Sequence, residues 1–170
     1  MAGSSRVFTT ERLLMKSPGL ALCLLLNAGY VSAADVEDVL GNYMAAWSAH
    51  DSSKIVSFFA ENVIWYDLPS DSVTQGKEAV GPAIVSAFLG QVDNMYWVRS
   101  GDTFVSGNTA IYEWTYGGTF NGNWGDTQVD DKTFAIKGLS TTTINDDGKI
   151  VAQKDYYDVA SFAQALGVGQ

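Results

Sequence analysis

Residues 43–69, YMAAWSAHDSSKIVSFFAENVIWYDLP, change from helical to strand periodicity within one short stretch. The first part continues an apolar stripe at helical spacing, which predicts an amphipathic helix over residues 35–49. Asp51 is placed to cap a short second helix that extends through residues 58–59. β-branched and aromatic residues then predict a strand over residues 62–66, which the turn sequence DLPS ends.

The rest of the chain predicts one more helix and then only strands. Residues 76–89 carry apolar side chains at helical spacing, with a proline near the first turn. Strands are predicted over residues 94–106, 110–120, 132–144 and 149–159, with a Gly- and Asn-rich turn at 117–125 and a helical tail at 161–166. This order predicts an α+β fold, in which a curved, mostly antiparallel sheet wraps around the N-terminal helices. Such a sheet forms a cone whose open end is a natural pocket for a small molecule.

The first 33 residues have the three-part pattern of a secretory signal peptide. Basic residues precede the apolar run GLALCLLL, and the small-residue sequence VSA ends at Ala33. The pattern predicts cleavage after Ala33, a single domain over residues 34–170, and a secreted or periplasmic protein. The alternatives are an uncleaved anchor and a buried helix, but the apolar run is far shorter than the roughly 20 residues that span a bilayer.

Composition narrows the possible function classes. The net charge is −9, and without the leader the chain carries 7 basic and 18 acidic residues and has lost Cys23, its only cysteine. An acidic chain with no basic run is a poor ligand for nucleic acid. Residues 34–170 contain one histidine and no cysteine. This composition predicts that the domain has no metal centre and no cofactor. No second apolar segment has transmembrane length, so no membrane partner is expected after cleavage.

Three segments together resemble a known family: residues 43–69, GKEAV at 76–80, and INDDGKIVAQKDYYDVASFAQALG at 144–167. The chain is similar to the SnoaL-like (polyketide cyclase) branch of the nuclear-transport-factor-two-like superfamily, over nearly the whole of residues 34–170. The resemblance implies a cone-shaped α+β barrel of the cystatin-like type. It also implies a homodimer and a small hydrophobic ligand. It does not fix one reaction, because this fold hosts isomerases, cyclases, hydrolases and binding modules.

Two members of that superfamily suggest site residues. Similarity to ketosteroid isomerase implies Tyr43 as an oxyanion donor and Asp67 as a general base, with Ser140 where that enzyme has an acidic donor. Similarity to limonene epoxide hydrolase implies that Asp155 corresponds to one of the aspartates of that enzyme. The arginine and the other aspartate of that enzyme correspond to Trp114 and Tyr116 in this chain, and these side chains cannot replace the charged groups.

Strand alternation supports the same site from the residues alone. Asp155 shares one face of the last predicted strand with Gln153 and Tyr157. If that face lines the cone, the pocket is an aromatic box with two carboxyl groups, and burial in it raises the pKa of an aspartate toward neutrality. The candidate catalytic residues are Tyr43, Asp67 and Asp155; the candidate substrate-binding residues are Trp47, Trp65, Trp114, Tyr116 and Ser140.

Each candidate has a structural alternative. Asp67 precedes Leu-Pro and suits a turn, Asp155 suits an ion pair, and Tyr43 suits helix packing. The leading hypothesis is cofactor-independent acid–base isomerisation or cyclisation of a hydrophobic carbonyl compound, with Asp67 as base and Tyr43 and Ser140 as oxyanion donors. A non-catalytic binding module for a small apolar ligand is the second hypothesis, and an epoxide-hydrolase-like hydrolase is the third.

Overall fold

The computed structural model describes residues 32–168 of the 170-residue chain. All of the predicted signal peptide except its last two residues therefore lies outside the described residues. The bond at which cleavage is predicted, after Ala33, falls in the first turn of the first helix. Within residues 32–168, no helix is long and apolar enough to cross a bilayer.

The bounds of the helices are α1 Ala33–Ser48, α2 Ser52–Ser57, α3 Lys77–Val80, α4 Ala87–Gln91 and α5 Val159–Leu166, and a π-helical turn, Gly81–Ser86, joins α3 to α4. Three of the helices, α1, α2 and α5, begin at a side chain that caps them. Ser32 caps α1 by accepting a hydrogen bond from the Asp35 amide, and the Asp35 carboxylate accepts one from the Ser32 amide in return. Asp51 caps α2 by accepting from the Lys54 amide at 2.9 Å, which confirms the predicted start.

Six strands form one curved sheet. They are β1 Phe59–Asp67, β2 Ser72–Gln75, β3 Val92–Ser106, β4 Thr109–Trp124, β5 Thr127–Ile144 and β6 Ile150–Tyr157. Their spatial order is β2-β1-β6-β5-β4-β3, and only β1 and β6 run parallel. The predicted α+β class is thus confirmed, with a mostly antiparallel sheet that stays open at the β2 and β3 edges instead of closing into a barrel.

The second helix ends at Ser57, short of the predicted 58–59, and the helix predicted over 76–89 is interrupted by the π-helical turn. Two further differences concern the strands. The short edge strand β2 was not predicted, because its four residues are mostly exposed and carry no apolar alternation. The turn predicted at 117–125 was wrong, since β4 continues to Trp124. The glycines there serve close packing: a Cβ on Gly117 would meet the Phe134 carbonyl oxygen at 2.7 Å, and one on Gly118 would meet the Asp93 carbonyl oxygen at 2.8 Å.

The concave face of the sheet carries the core. Along β4, Tyr112, Trp114 and Tyr116 alternate inward and are each less than a tenth exposed. Helix α1 covers this face with Tyr43 and Trp47, whose rings meet the Trp97 ring of β3 edge to face. The core is therefore aromatic where the helix crosses the sheet, and it is there that a pocket opens.

Candidate functional site

An aromatic pocket opens on the concave face between the sheet and the helices. Its volume is about 510 Å³, including its open mouth. It is lined by Trp47, Trp65, Phe88, Met95, Trp97, Trp114, Tyr116, Ile136, Asp155, Tyr157 and Phe162. Asp155 is the one carboxyl group among these lining residues of the described chain, so the pocket is apolar apart from a single acid and a few ring donors.

The Asp155 carboxyl group is held through one of its two oxygens. Oδ1 accepts hydrogen bonds from the Ser140 hydroxyl at 2.6 Å and from the Gln153 side-chain amide at 2.7 Å. Ser140 in turn accepts from the Trp114 indole at 2.7 Å. Within residues 32–168, Oδ2 has no hydrogen-bond partner, which leaves it available to a molecule in the pocket.

The bonds behind Asp155 have a defined direction. Thr142 donates to the Gln153 side-chain oxygen at 2.6 Å, and so the Tyr112 hydroxyl, 2.9 Å from the Thr142 hydroxyl, must be the donor of that pair. Side-chain hydrogens thus run from Tyr112 through Thr142 and Gln153 to Asp155. This network fixes the orientation of the carboxyl group from within the sheet.

The surroundings tune the acidity of Asp155. Burial in the aromatic wall and, as a smaller cause, the charge of Asp67 together raise its pKa to about 6, against the lowering effect of the Ser140 and Gln153 hydrogen bonds. A carboxyl group with such a pKa exchanges a proton readily near neutral pH.

Asp67 is next to Asp155 in the sheet but is not among the pocket-lining residues. Its Oδ2 accepts a hydrogen bond from the Tyr157 hydroxyl at 3.0 Å, while its buried Oδ1 has no partner within residues 32–168. Tyr157 itself lines the pocket, so its hydroxyl joins the pocket wall to Asp67. The structure therefore brings the two predicted carboxyl groups together and exposes one of them to the pocket.

The two predicted oxyanion donors lie elsewhere. Tyr43 is fully buried and is not a lining residue; its ring packs edge to face against those of Phe58 and Phe59. Ser140 is also fully buried, and its one hydrogen is donated to Asp155. In this geometry Ser140 positions the carboxyl group and has no hydrogen left for a substrate oxygen.

The other predicted binding residues lie at the pocket. Trp47, Trp65, Trp114 and Tyr116 all line it. The sequence analysis did not single out the further lining residues Phe88, Met95, Trp97, Ile136 and Phe162. Strand alternation could have predicted that Met95 and Trp97 line the pocket, because they are two residues apart on β3 and both face inward. Phe162 comes from α5, and no local pattern indicates that this helix folds back onto the pocket.

Within residues 32–168, no three His, Cys, Asp or Glu side chains are grouped so as to hold a metal ion.

A curved sheet that covers a helix and encloses an apolar pocket is the arrangement of the ketosteroid isomerase-like fold. Residues 37–166 match the SnoaL-like polyketide cyclase family, and the chain belongs to that family. No curated protein matches the chain in sequence.

Solved structures agree with this assignment. TsrD from Streptomyces laurentii is 19% identical, with a TM-score of 0.69 over 81% of this chain and 98% of that one. A protein of ketosteroid isomerase-like fold from Catenulispora acidiphila, in complex with trimethylamine, is 18% identical, with a TM-score of 0.64 over 78% and 94%. An NTF2-like protein from Burkholderia thailandensis is 18% identical, with a TM-score of 0.63 over 77% and 96%. At such identities the likeness shows the fold.

Proposed function

We propose that the protein isomerises or cyclises a small hydrophobic carbonyl compound by acid–base chemistry without a cofactor, and that Asp155 moves the proton. One observation carries this proposal: Asp155 is the carboxyl group that lines the aromatic pocket, and its pKa is raised to about 6. Membership of the SnoaL-like polyketide cyclase family supports the reaction class.

In the isomerisation, Asp155 Oδ2 takes a proton from the carbon beside the substrate carbonyl, which leaves an enolate. The protonated carboxyl group then returns that proton to another carbon, so the double bond shifts and the carboxylate is regenerated. In the cyclisation, the enolate carbon instead attacks a second carbonyl carbon of the same molecule. The new alkoxide oxygen then takes the proton from Asp155.

This proposal moves the general base from Asp67, the residue suggested by the sequence, to Asp155. The reason is position, because Asp67 is bonded to the Tyr157 hydroxyl and does not line the pocket. Asp67 then acts as a neighbouring charge that raises the pKa of Asp155. The aromatic walls hold a flat substrate and keep water away from the enolate.

The test is the conversion of 3-cyclohexen-1-one into its conjugated isomer, followed by ultraviolet absorbance. We expect turnover above the buffer rate, with an inflection near pH 6, and a loss of about a hundredfold or more in Asp155→Asn. Asp71→Asn, at an exposed carboxyl group bonded to Tyr66, is the matched control. Wild-type turnover no faster than the buffer rate, or full turnover in Asp155→Asn, would contradict the proposal.

A binding module is the second candidate function, and the almost entirely aromatic lining favours it. The Catenulispora protein of the same fold is in complex with trimethylamine, which supports a small ligand in such a pocket. Native mass spectrometry of protein purified from its own host distinguishes the two functions, since a carrier retains a stoichiometric ligand. An epoxide-hydrolase-like reaction ranks third, because Trp114 and Tyr116 occupy the positions where that enzyme has an arginine and an aspartate.

We also propose that the protein is exported, with cleavage after Ala33. The basic residues, the apolar run and the VSA sequence at 31–33 support this. Expression of the full chain with analysis of the exported fraction tests it. The expected result is an N-terminus at Ala34, and retention of the whole protein in the cytoplasm with Met1 intact would overturn it.

A further inference from the structure

The hydrogen bonds around Asp155 make its two carboxyl oxygens unlike each other. Oδ1 accepts from the Ser140 hydroxyl at 2.6 Å and from the Gln153 side-chain amide at 2.7 Å. Within residues 32–168, Oδ2 has no partner, and unlike Oδ1 of Asp67 it keeps some accessible surface. Because Asp155 lines the pocket, that surface is open to a molecule bound there.

Ser140 can act only as a donor to Asp155. The Trp114 indole N–H, which cannot accept, donates to the Ser140 oxygen at 2.7 Å. Trp114 and Asp155 are the two side-chain partners of the Ser140 hydroxyl in the described part of the chain. Turning the Ser140 hydrogen away from Oδ1 would therefore leave it buried and unpaired, which is unfavourable.

Gln153 also acts as a donor to Asp155. Its side chain is fully buried, and its oxygen accepts from the Thr142 hydroxyl at 2.6 Å, which turns its amide nitrogen toward Asp155. If the amide were reversed, its N–H group would face Thr142, and the Thr142 hydrogen would have to point to the Tyr112 hydroxyl. The Tyr112 hydrogen would then lose the acceptor that lies 2.9 Å away. The bonds behind Gln153 thus oppose reversal of its amide.

These two donors leave no place for a proton on Oδ1. Each carboxyl oxygen has two lone pairs, and both of those on Oδ1 accept a hydrogen. A proton on Oδ1 would have to displace Ser140 or Gln153, whereas both lone pairs of Oδ2 are free of side-chain donors in residues 32–168.

We propose that Gln153 is a positioning residue, which keeps the exchangeable proton of Asp155 on Oδ2, the oxygen that a molecule in the pocket can reach. The inference rests on the proposed function for the role of that proton. Gln153 does not line the pocket and acts through Asp155. The atom that takes the proton from the substrate and the atom that returns it are then the same one.

The carbonyl stretch of the protonated Asp155 side chain tests this, in infrared difference spectra recorded below and above its pKa of about 6. Labelling of the aspartate carboxyl carbons with ¹³C identifies the aspartate bands, and Asp155→Asn identifies the band of Asp155. With the proton on Oδ2, the carbonyl oxygen is Oδ1, and its two hydrogen bonds lower the stretching frequency. We expect a single band below that of an unbonded carboxylic acid. A band at the unbonded frequency would overturn the inference.

Gln153→Met keeps the length of the side chain and removes the donor. The band should move to higher frequency, because Oδ1 loses one of its two hydrogen bonds. We expect kcat for 3-cyclohexen-1-one to fall about tenfold as the carboxyl group loses its orientation, with KM changed by less than about twofold. Thr143→Val, whose hydroxyl pairs with that of Thr109 outside this network, is the matched control and should change neither quantity. An unshifted band in Gln153→Met would contradict the proposal.

Gln153→Glu separates the hydrogen-bond role of Gln153 from its packing role. It keeps the shape of the side chain but places a carboxyl oxygen where the amide donates, 2.7 Å from Oδ1. Two carboxyl oxygens at that distance share a proton, which would then be held at Oδ1. We expect a larger loss of kcat than in Gln153→Met, and wild-type kcat would show that Gln153 only fills space. If neither variant folds, the position of the wild-type band still decides the inference.

The infrared band needs no turnover, so it separates this inference from the proposed function. If the wild type does not convert 3-cyclohexen-1-one but its band lies low and shifts in Gln153→Met, the proposed function fails and the proton is still on Oδ2. If Asp155 carries the turnover but the band does not shift in Gln153→Met, only the role of Gln153 fails.

Discussion

Asp67 and Asp155 lie opposite each other in the parallel ladder between β1 and β6. The ladder makes them neighbours, yet their surroundings differ. Asp155 lines the pocket, whereas Asp67 accepts a hydrogen bond from Tyr157 and does not line it. Burial at the pocket raises the pKa of Asp155 to about 6.

Asp67→Asn should lower the pKa of Asp155, because the charge of Asp67 is one of the causes that raise it. We expect a decrease of about half a pH unit, since burial is the larger cause. The measurement is a ¹³C NMR titration of the aspartate carboxyl carbons, assigned with Asp155→Asn. Asp71→Asn is the control, and a pKa that rises or stays constant in Asp67→Asn would contradict the electrostatic role of Asp67.

Ser140→Ala should have the opposite effect. The Ser140 hydroxyl donates to Asp155 at 2.6 Å and lowers its pKa, so removing the donor raises that pKa further. We expect the inflection in the rate of 3-cyclohexen-1-one turnover to move to higher pH by about one unit.

Two threonine variants serve as comparisons for the shift expected in Ser140→Ala. Thr142→Val removes a donor one bond further back, at Gln153, and should shift the inflection less. Thr143→Val is the matched control, because the hydroxyl of Thr143 pairs with that of Thr109 outside this network. An acidic shift in Ser140→Ala would show that Ser140 does not stabilise the carboxylate.

Asp155 should also make folding stability depend on pH. Its pKa is raised from 3.8 to about 6 in the folded protein, so between these values the folded protein binds more protons than the unfolded chain. Stability therefore falls as the pH rises through this window. Asp155→Asn removes this effect, and the free energy of unfolding of the variant should exceed that of the wild type by about 3 kcal/mol above pH 6.

Urea unfolding of both proteins at a series of pH values measures the difference. The difference should shrink to nearly zero at about pH 3 and below, where the wild-type carboxyl group is largely protonated in both states. An Asn variant that is less stable than the wild type at neutral pH would mean that the ionised carboxylate contributes favourably to the fold.

The sequence predicted the parts of the fold and site that depend on local patterns. Alternation placed Asp155 on an inward face, and helical spacing placed Trp47 against the sheet. The short strand β2 and the contribution of Phe162 depend on contacts between distant segments, which no local period records.

The roles of Ser140 and Asp67 could not be assigned from the sequence for a similar reason. Hydrogen-bond direction decides them: Ser140 gives its one hydrogen to Asp155, and Asp67 accepts from Tyr157. Residue type and spacing indicate which side chains lie near each other. The direction of a hydrogen bond depends instead on the donors and acceptors that the strands β1, β5 and β6 bring together.

Gly138→Ala should displace the Trp114 ring, which lines the pocket and donates a hydrogen bond to Ser140. Gly138 pairs with Trp114 across β5 and β4, and a Cβ at this position would overlap the Trp114 ring. The indole must then move, which breaks its 2.7 Å hydrogen bond to Ser140. We expect a loss of about 1–3 kcal/mol in stability from overpacking, together with a changed Trp114 indole resonance in NMR. Gly90→Ala, which has open space around it, should change neither property, and a normal Trp114 resonance in Gly138→Ala would contradict the prediction.

The edge strand β3 is where we expect a second copy of the chain to bind. Phe104 is 71% exposed there, and Val98 and Tyr96 on the same strand are also exposed. Exposed apolar residues on an unpaired edge strand favour association. Light scattering after size exclusion should give a dimer for the wild type and a monomer for Phe104→Glu. Val73→Glu, at an exposed position on the opposite edge of the sheet, should remain dimeric. A wild-type monomer, or a Phe104→Glu dimer of undiminished stability, would rule out this edge as the interface.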